Sequence, residues 1–515
     1  MASGSARKGL ESMVRGVLVA CAVVLMAVSA AAAQTIRVVA GNDISSSDPH
    51  RIMGSDDQLV FSNSFEGLYG HDLDGKLMAM LATANKAAPD GLTYEFALRK
   101  DVIFHNGDRF TAEDVRFSWQ RATDPRLKNP RAVVVVSNLR DVEIVDSHTV
   151  RLHLHRPDAS LLENLGEYFY IVPKGLIESI GDEAFAAAPV GTGPFAFADR
   201  VAGHQIRLRA HKAHWGYPPS VDGIEIRIVP DGLDRVRLLQ AGEADIVVGV
   251  PANRTREIGA DPAIRVLAGP SYQNIFVSLT NHRADGTLAD TKVRQALNFA
   301  VDKKSIADKQ LAGHARLMAA PCQKGLIGCD IGREPYAHDE KKAKQLLQEA
   351  KFNFDKTYRF VTMASGRVPR APEIAEAIAQ NLERVGIKTK LDVLPYGEWL
   401  EFVLARRFDE AELVFWTWTD YNNDPIGRLA RTVRTDGSNS WVSYPTLDPL
   451  IDEANNIIDP KAREEHLRKL FTQIYDDPPF IFLWTLDKLY ATAKHVDWQP
   501  AVNLVWPVFW KLGTK

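Results

Sequence analysis

Tyr94, Phe96 and Leu98 alternate with polar neighbours in "TYEFALRK", the period of two that marks a half-buried strand. Asn106-Gly107 follows as a turn signal, because both residues tolerate positive φ. Beyond it the period lengthens: Val115, Trp119 and Ala122 share one face of a predicted helix. Thr111 is the N-cap of that helix and Asp114 completes a capping box. Glu113 also lies in the first turn, where the helix dipole favours negative charge. The polar cluster "HNGDRFTAEDVRFSW" therefore reads as architecture. His105 alone has no local role and is expected to be solvated.

The two periods interleave along the rest of the chain. "VDGIEIRIVP" alternates as a strand, and "GLDRVRLLQAGEADIVVGV" predicts a helix, a stop at Gly242 and a short apolar strand. "DTKVRQALNFAVDKKSIADKQL" is helical with a break near Asp302. "DEKKAKQLLQEAKF" and "APEIAEAIAQNLERVGIKTKLDVLP" are amphipathic helices, the second stopping at Gly386 before another strand. "VGTGPFAF" (Val190 to Phe197) is no phosphate loop, since it has no following lysine and leads into a strand. There is no fixed-period repeat, and the class is α/β.

Length and charge narrow the picture. A chain of 515 residues, 45% hydrophobic and 25% charged, can form two or three domains. Arg7, Lys8 and Arg15 precede "GVLVACAVVLMAVSAAAA", which ends at Ala31-Ala32-Ala33 before Gln34. Basic residues, an apolar run and small residues predict a signal peptide, residues 1–33, cleaved after Ala33. "LVAC" is similar to a lipoprotein cleavage box. Only five residues separate Arg15 from Cys21, however, and the apolar run continues past the cysteine, so Cys21 is expected to leave with the leader. No later segment offers about 20 uninterrupted apolar residues. Losing the leader takes the formal charge from -3 to -5, with no basic field for nucleic acid. Cys322 and Cys329 remain, and an even pair in an exported chain predicts a disulfide, with two free thiols as the alternative.

Six blocks in this order resemble the family 5 extracellular solute-binding proteins, the periplasmic receptors of peptide and nickel ABC importers. They are "SSDPH" with "SFEGLYGHDLDGKL"; "YEFALRKDVIFHNGDRFTAEDVRFSW"; "PVGTGPFAF"; "HWGYPPSVDGIEIRIVPDGLDRVRLLQAGEADI"; "VRQALNFAVDKKSIADKQLAGHA"; and "IDEANNIIDPKAREEHLRKLFTQIYDDPPFIFLW". The resemblance implies a two-lobed periplasmic binding protein, type II-like, with the extra domain of the peptide-binding cluster. Domain I would comprise 34–66, 188–280 and 481–515, domain II 67–187 and domain III 281–480. Hinge crossings would lie near "VSLTN" and "FIFLW". It further implies a monomer that captures a small molecule or peptide between its lobes and docks on a membrane permease. Partner subunits would hydrolyse ATP.

The resemblance also points to a ligand site. In peptide-binding relatives a tryptophan-containing strand end leads to an aspartate that pairs with the peptide ammonium. In "FWTWTDYNNDP" Asp420 sits at that place, with Asp424 the substitute if the loop register slips and Tyr421 beside it. A carboxylate in a closed, low-dielectric cleft attracts a cation far more strongly than one in water. Trp416 and Trp418, two apart on one strand face, and Tyr272 in "GPSYQNIFVSLTN" complete the set. An opine, an oligosaccharide or a metal chelate is the alternative ligand, since one fold serves all of these. The pairs His153/His155 and His211/His214 are expected on solvated faces, so no metal or cofactor is expected. No nucleophile elbow, H-E-x-x-H or paired-carboxylate motif supports the remaining reading, a secreted hydrolase.

Overall fold

The computed structural model describes residues 34–51, 56–127, 136–167, 169–281, 286–364, 367–407, 409–419, 424–502 and 506–514. Among them, eleven strands form one mixed sheet. From one edge the order is Lys388–Leu394, Thr357–Met363, Leu413–Thr419 and Ile264–Leu279. It continues through Phe480–Ala493, Ile246–Val248 and Thr35–Ala40 to Gly223–Ile228, Gln205–Ala210 and Phe195–Val201. Ala315–Leu317 attaches to Phe480–Ala493. Parallel pairs such as Thr357–Met363 with Lys388–Leu394 arise where a helix returns the chain, while the two longest strands pair antiparallel.

Those two strands, Ile264–Leu279 and Phe480–Ala493, are the spine of the molecule. One large core gathers side chains from Tyr272 to Leu486, and a second gathers residues 36–246 with Tyr490 and the C-terminal segment. The spine passes from one core to the other where its ladder breaks: pairing skips between Pro270 and Asn274, opposite Asp487 and Thr485. Ser271 spans the gap by donating its hydroxyl to the Leu486 carbonyl at 2.6 Å. A bulge of this kind bends and twists a strand locally.

Local signals govern the elements around the spine. The helix Ala112–Ala122 carries the capping box, with the Thr111 amide donating to Asp114 Oδ2 at 2.8 Å. The helical run after Asp290 divides into Thr291–Ala300 and Lys303–Gln310 because Asp302 caps the second helix, accepting from the Ser305 amide. Gly191 and Gly193 of "VGTGPFAF" pack against the backbone of Ser64, where a Cβ would lie 2.1 Å and 2.6 Å from main-chain atoms. A second, four-stranded antiparallel sheet orders Ala82–Ala87, Thr93–Leu98, Thr149–Leu154 and Leu139–Asp146. Cys322 and Cys329 are joined as a disulfide, with their Cα atoms 5.9 Å apart.

His155 apart, the histidines depart from expectation. His105 is not solvated: its Nε2 donates to the Gly193 carbonyl at 2.9 Å, and its Nδ1 accepts from the Gly191 amide at 3.2 Å. Its ring lies 5.0 Å from that of His211, which in turn lies 6.2 Å from His214. Burial, then the neighbouring His211 and His214 charges, push the His105 pKa down to about 3. His214 is buried, with Nε2 3.1 Å from Glu66 Oε1. His153 contacts Glu143 at 2.9 Å, and His155 is exposed. Distant residues supply the partners, so the local sequence could not show them.

Candidate functional site

Leu413–Thr419 is hydrophobic on both faces because it lies inside the sheet, between Thr357–Met363 and Ile264–Leu279. Trp416 and Trp418 project from one face of it, two residues apart. Trp416 packs on Trp399 with ring centroids 5.1 Å apart, and Trp399 stacks on Tyr396 at 5.7 Å. Trp418 lies 4.1 Å from Phe276 and 5.6 Å from Phe480. The indole N–H groups of Trp399, Trp416 and Trp418 are buried and have no hydrogen-bond partner. Unmet buried donors are uncommon in folded proteins.

These rings wall a cavity of about 100 Å³, which the helices Tyr396–Leu404 and Ile426–Thr432 close from the sides. Its remaining polar lining includes Arg367, Arg428, Arg431, Thr417 and Thr419. Arg428 Nε donates to the Thr419 carbonyl at 3.0 Å, and Arg367 Nη2 reaches Thr419 Oγ1 at 3.4 Å. Gln273 bridges the Arg367 carbonyl, at 2.8 Å, and Thr417 Oγ1, at 3.3 Å. Both tryptophans named from the sequence are thus brought together at one cavity. Tyr272 lies on the neighbouring strand, buried at the break in the ladder. Asp420 and Tyr421 lie outside the described residues.

Asp424 has a different setting. Its Oδ2 accepts from Arg463 Nη1 at 2.6 Å and from the Ser160 hydroxyl at 2.7 Å, while Oδ1 accepts from the Ile426 amide at 3.0 Å. Arg463 Nη2 also donates to Ser160 Oγ at 3.0 Å. The cluster is buried throughout. Ser160 comes from the segment expected as domain II, and Asp424 and Arg463 from that expected as domain III. Nearby, the Ala159 amide donates to the Asn455 carbonyl at 3.0 Å, so the same face carries a second link.

The model of the bacterial extracellular solute-binding proteins, family 5 Middle, matches residues 76–440, which spans the four-stranded sheet, the spine's first strand and the tryptophan strand. The chain belongs to that family. Heme-binding protein A of Haemophilus influenzae is 28% identical over 432 residues, 78% of this chain and 77% of that protein. Glutathione-binding protein GsiB of Pectobacterium atrosepticum is 27% identical over 476 residues, 90% of this chain and 91% of that protein. Among solved structures, the ABC transporter-associated periplasmic binding protein DppA from Helicobacter pylori, in complex with the peptide STSA, is 25% identical with a TM-score of 0.76. The match covers 93% of this chain and 98% of that one. As a family 5 member the chain is a solute-binding protein and not an enzyme.

Sequence reasoning did not find Trp399, Tyr396, Arg428 or Arg431. The two arginines stand three apart on the helix after "NNDP", a spacing that reads equally well as a solvated face. Among the described residues no three His, Cys, Asp or Glu side chains gather as a metal ion would require. No helix among them is long and apolar enough to cross a membrane.

Proposed function

We propose that this chain is the periplasmic substrate-binding component of an ABC importer, capturing a peptide or other amine-bearing small solute and delivering it to a membrane permease. The observation that carries this reading is the aromatic-walled cavity at the end of the tryptophan strand, immediately before Asp420, in a family 5 fold. Relatives named for glutathione and a structure holding a peptide support a ligand with a free amine. Trp416 and Trp418 would flank the ligand, with Tyr272 and Tyr421 beside them. Asp420 would hold the ammonium, because the Asp424 carboxylate is already engaged by Arg463 and Ser160. The protein would act as a monomer, and ATP would be hydrolysed by partner subunits. Export with cleavage after Ala33 fits a fold whose first strand begins at Thr35.

Asp420→Asn keeps shape and hydrogen bonding while removing the charge. Losing one member of a buried charged pair costs about 2–5 kcal/mol, or roughly 30-fold to several thousand-fold in affinity. Differential scanning calorimetry should show unchanged melting of the ligand-free variant and loss of most ligand-induced stabilisation. The same ligand with its amine acetylated should bind the native protein as weakly as the variant binds the free amine. Normal binding by both Asp420→Asn and Asp424→Asn would remove the amine reading and leave stacking of a sugar-like ligand on Trp416 and Trp418.

A further inference from the structure

Away from the spine, the two large cores touch at a small contact whose halves are each fixed by their own side. On one side Ser160 precedes the helix Leu161–Glu167, whose Leu161 and Leu165 belong to the core of residues 36–246. The Ser160 amide donates to Asp158 Oδ1 at 2.9 Å and its carbonyl accepts from the Asn164 amide at 2.8 Å, so its own segment aims the hydroxyl. On the other side Asp424 and Arg463 sit beside Ile426 and Leu467 of the first core. Asp424 Oδ1 accepts from the Ile426 amide at 3.0 Å, and Arg463 Nε donates to the Ala454 carbonyl at 2.9 Å. The Ser160 hydroxyl joins the halves, donating to Asp424 Oδ2 at 2.7 Å and accepting from Arg463 Nη2 at 3.0 Å. Two contacts flank it. The Ala159 amide donates to the Asn455 carbonyl at 3.0 Å, and Ile458 and Pro157 both pack on Gly91.

We propose that this contact is a latch between the two lobes, and that its residues, which lie outside the tryptophan cavity, must part whenever solute enters or leaves. The preformed halves are the first reason. Asp424 stays paired with Arg463 when Ser160 withdraws, so opening strands no buried charge, and docking needs no rearrangement on either side. The second is composition. A contact made of one hydroxyl, one backbone hydrogen bond and one isoleucine can be exchanged for water, as a large apolar interface cannot. Hydrogen bonds to ionised groups are the stronger kind, so even one serine biases the balance toward closure. The third is the spine, whose ladder breaks at Pro270–Asn274 between the same two cores, where a few backbone torsions can absorb the movement. Ser160 thereby acts on solute binding through the share of closed protein, since apparent affinity scales with the population of the competent form. This assignment rests on the two-lobed receptor reading above.

The test is made on the full mature protein with no solute added. Hydrogen exchange at the Ala159 amide reports opening, because its acceptor belongs to the opposite lobe. Ser160→Ala should speed that exchange about tenfold, as expected for a lost hydrogen bond to a charge. Ile458→Ala, which trims the apolar flank, should speed it about threefold. Spin labels then separate lobe opening from fraying of one helix. They are placed on Lys100→Cys and Glu376→Cys, both exposed positions, one beside each core. Double electron–electron resonance should give one dominant distance in the otherwise native protein and a second distance population when Ser160→Ala and Ile458→Ala are combined. Unchanged exchange at Ala159 in Ser160→Ala would overturn the assignment. Faster exchange with the native distance retained in the combined variant would also overturn it, because Ser160 would then hold only its own helix. Solute binding by Asp420→Asn enters neither readout, so failure of the amine reading and failure of the latch are separate results.

Discussion

Arg463, Asp424 and Ser160 form a buried polar cluster whose energetics can be ranked residue by residue. Arg463→Ala leaves the Asp424 carboxylate, 1% exposed, with only a hydroxyl and one amide as donors. Breaking a buried pair in this way costs about 3–5 kcal/mol. Ser160→Ala removes a hydrogen bond to a charge, worth about 1.5–3 kcal/mol, and keeps the ion pair intact. Urea melts should therefore rank Arg463→Ala well below Ser160→Ala in stability, and the reverse order would contradict the geometry. The same cluster weighs on the ligand site. A ligand ammonium could use Asp424 only by displacing a guanidinium already 2.6 Å from it, which is why the proposal rests on Asp420.

At the scale of elements, two histidines are expected to make the contacts around the Asp48–Arg51 turn and the Gly191–Gly193 segment sensitive to acid. His50 donates Nε2–H to the Tyr170 carbonyl at 2.8 Å beneath the Arg121–Asp48 pair, and burial, then Arg121, lower its pKa to about 4. His105, held on Gly191 and Gly193, is lowered to about 3 by burial, with His211, His214 and Arg209 adding to the shift. Both rings are held neutral in the fold, whereas the unfolded chain protonates them near pH 6.5. The unfolded state thus binds more protons between those values, and stability falls as pH drops below about 6.5 toward 4. The slope contributed by fully buried His50 should approach about 1.4 kcal/mol per pH unit. Denaturant melts from pH 7.5 to 4.5 should show this decline and a flatter one in His50→Gln. A profile that rises toward acid would contradict it. These elements also show what sequence reading can reach. The capping box at Thr111 and the break at Asp302 were legible because cap and partner stand three residues apart. The roles of His105 and His214 were not, because their partners lie 88 and 148 residues away. Arg428, Arg431 and Trp399 escaped for a related reason: which face of their short helices meets the sheet is set by packing.

For the whole molecule, the two largest cores are joined by a two-strand spine that breaks its ladder at Pro270–Asn274, with the Ser160 cluster closing a second contact between the segments on either side. That arrangement suits a receptor that holds a solute between lobes and releases it unchanged. The α/β class, the order of the blocks and the tryptophan strand were readable from sequence because each carries its own periodic signal. The cavity was not, since its walls come from strands and helices up to 72 residues apart in the chain, from Arg367 to Asn439. The most direct test of the account is native mass spectrometry of the protein purified, without added ligand, from the cells that export it. A 1:1 complex with one small amine-bearing solute is expected, recovered chemically intact on denaturation and displaced less readily from the native protein than from Asp420→Asn. A bound solute without an amine, or recovery of cleaved products in place of the intact molecule, would contradict this reading.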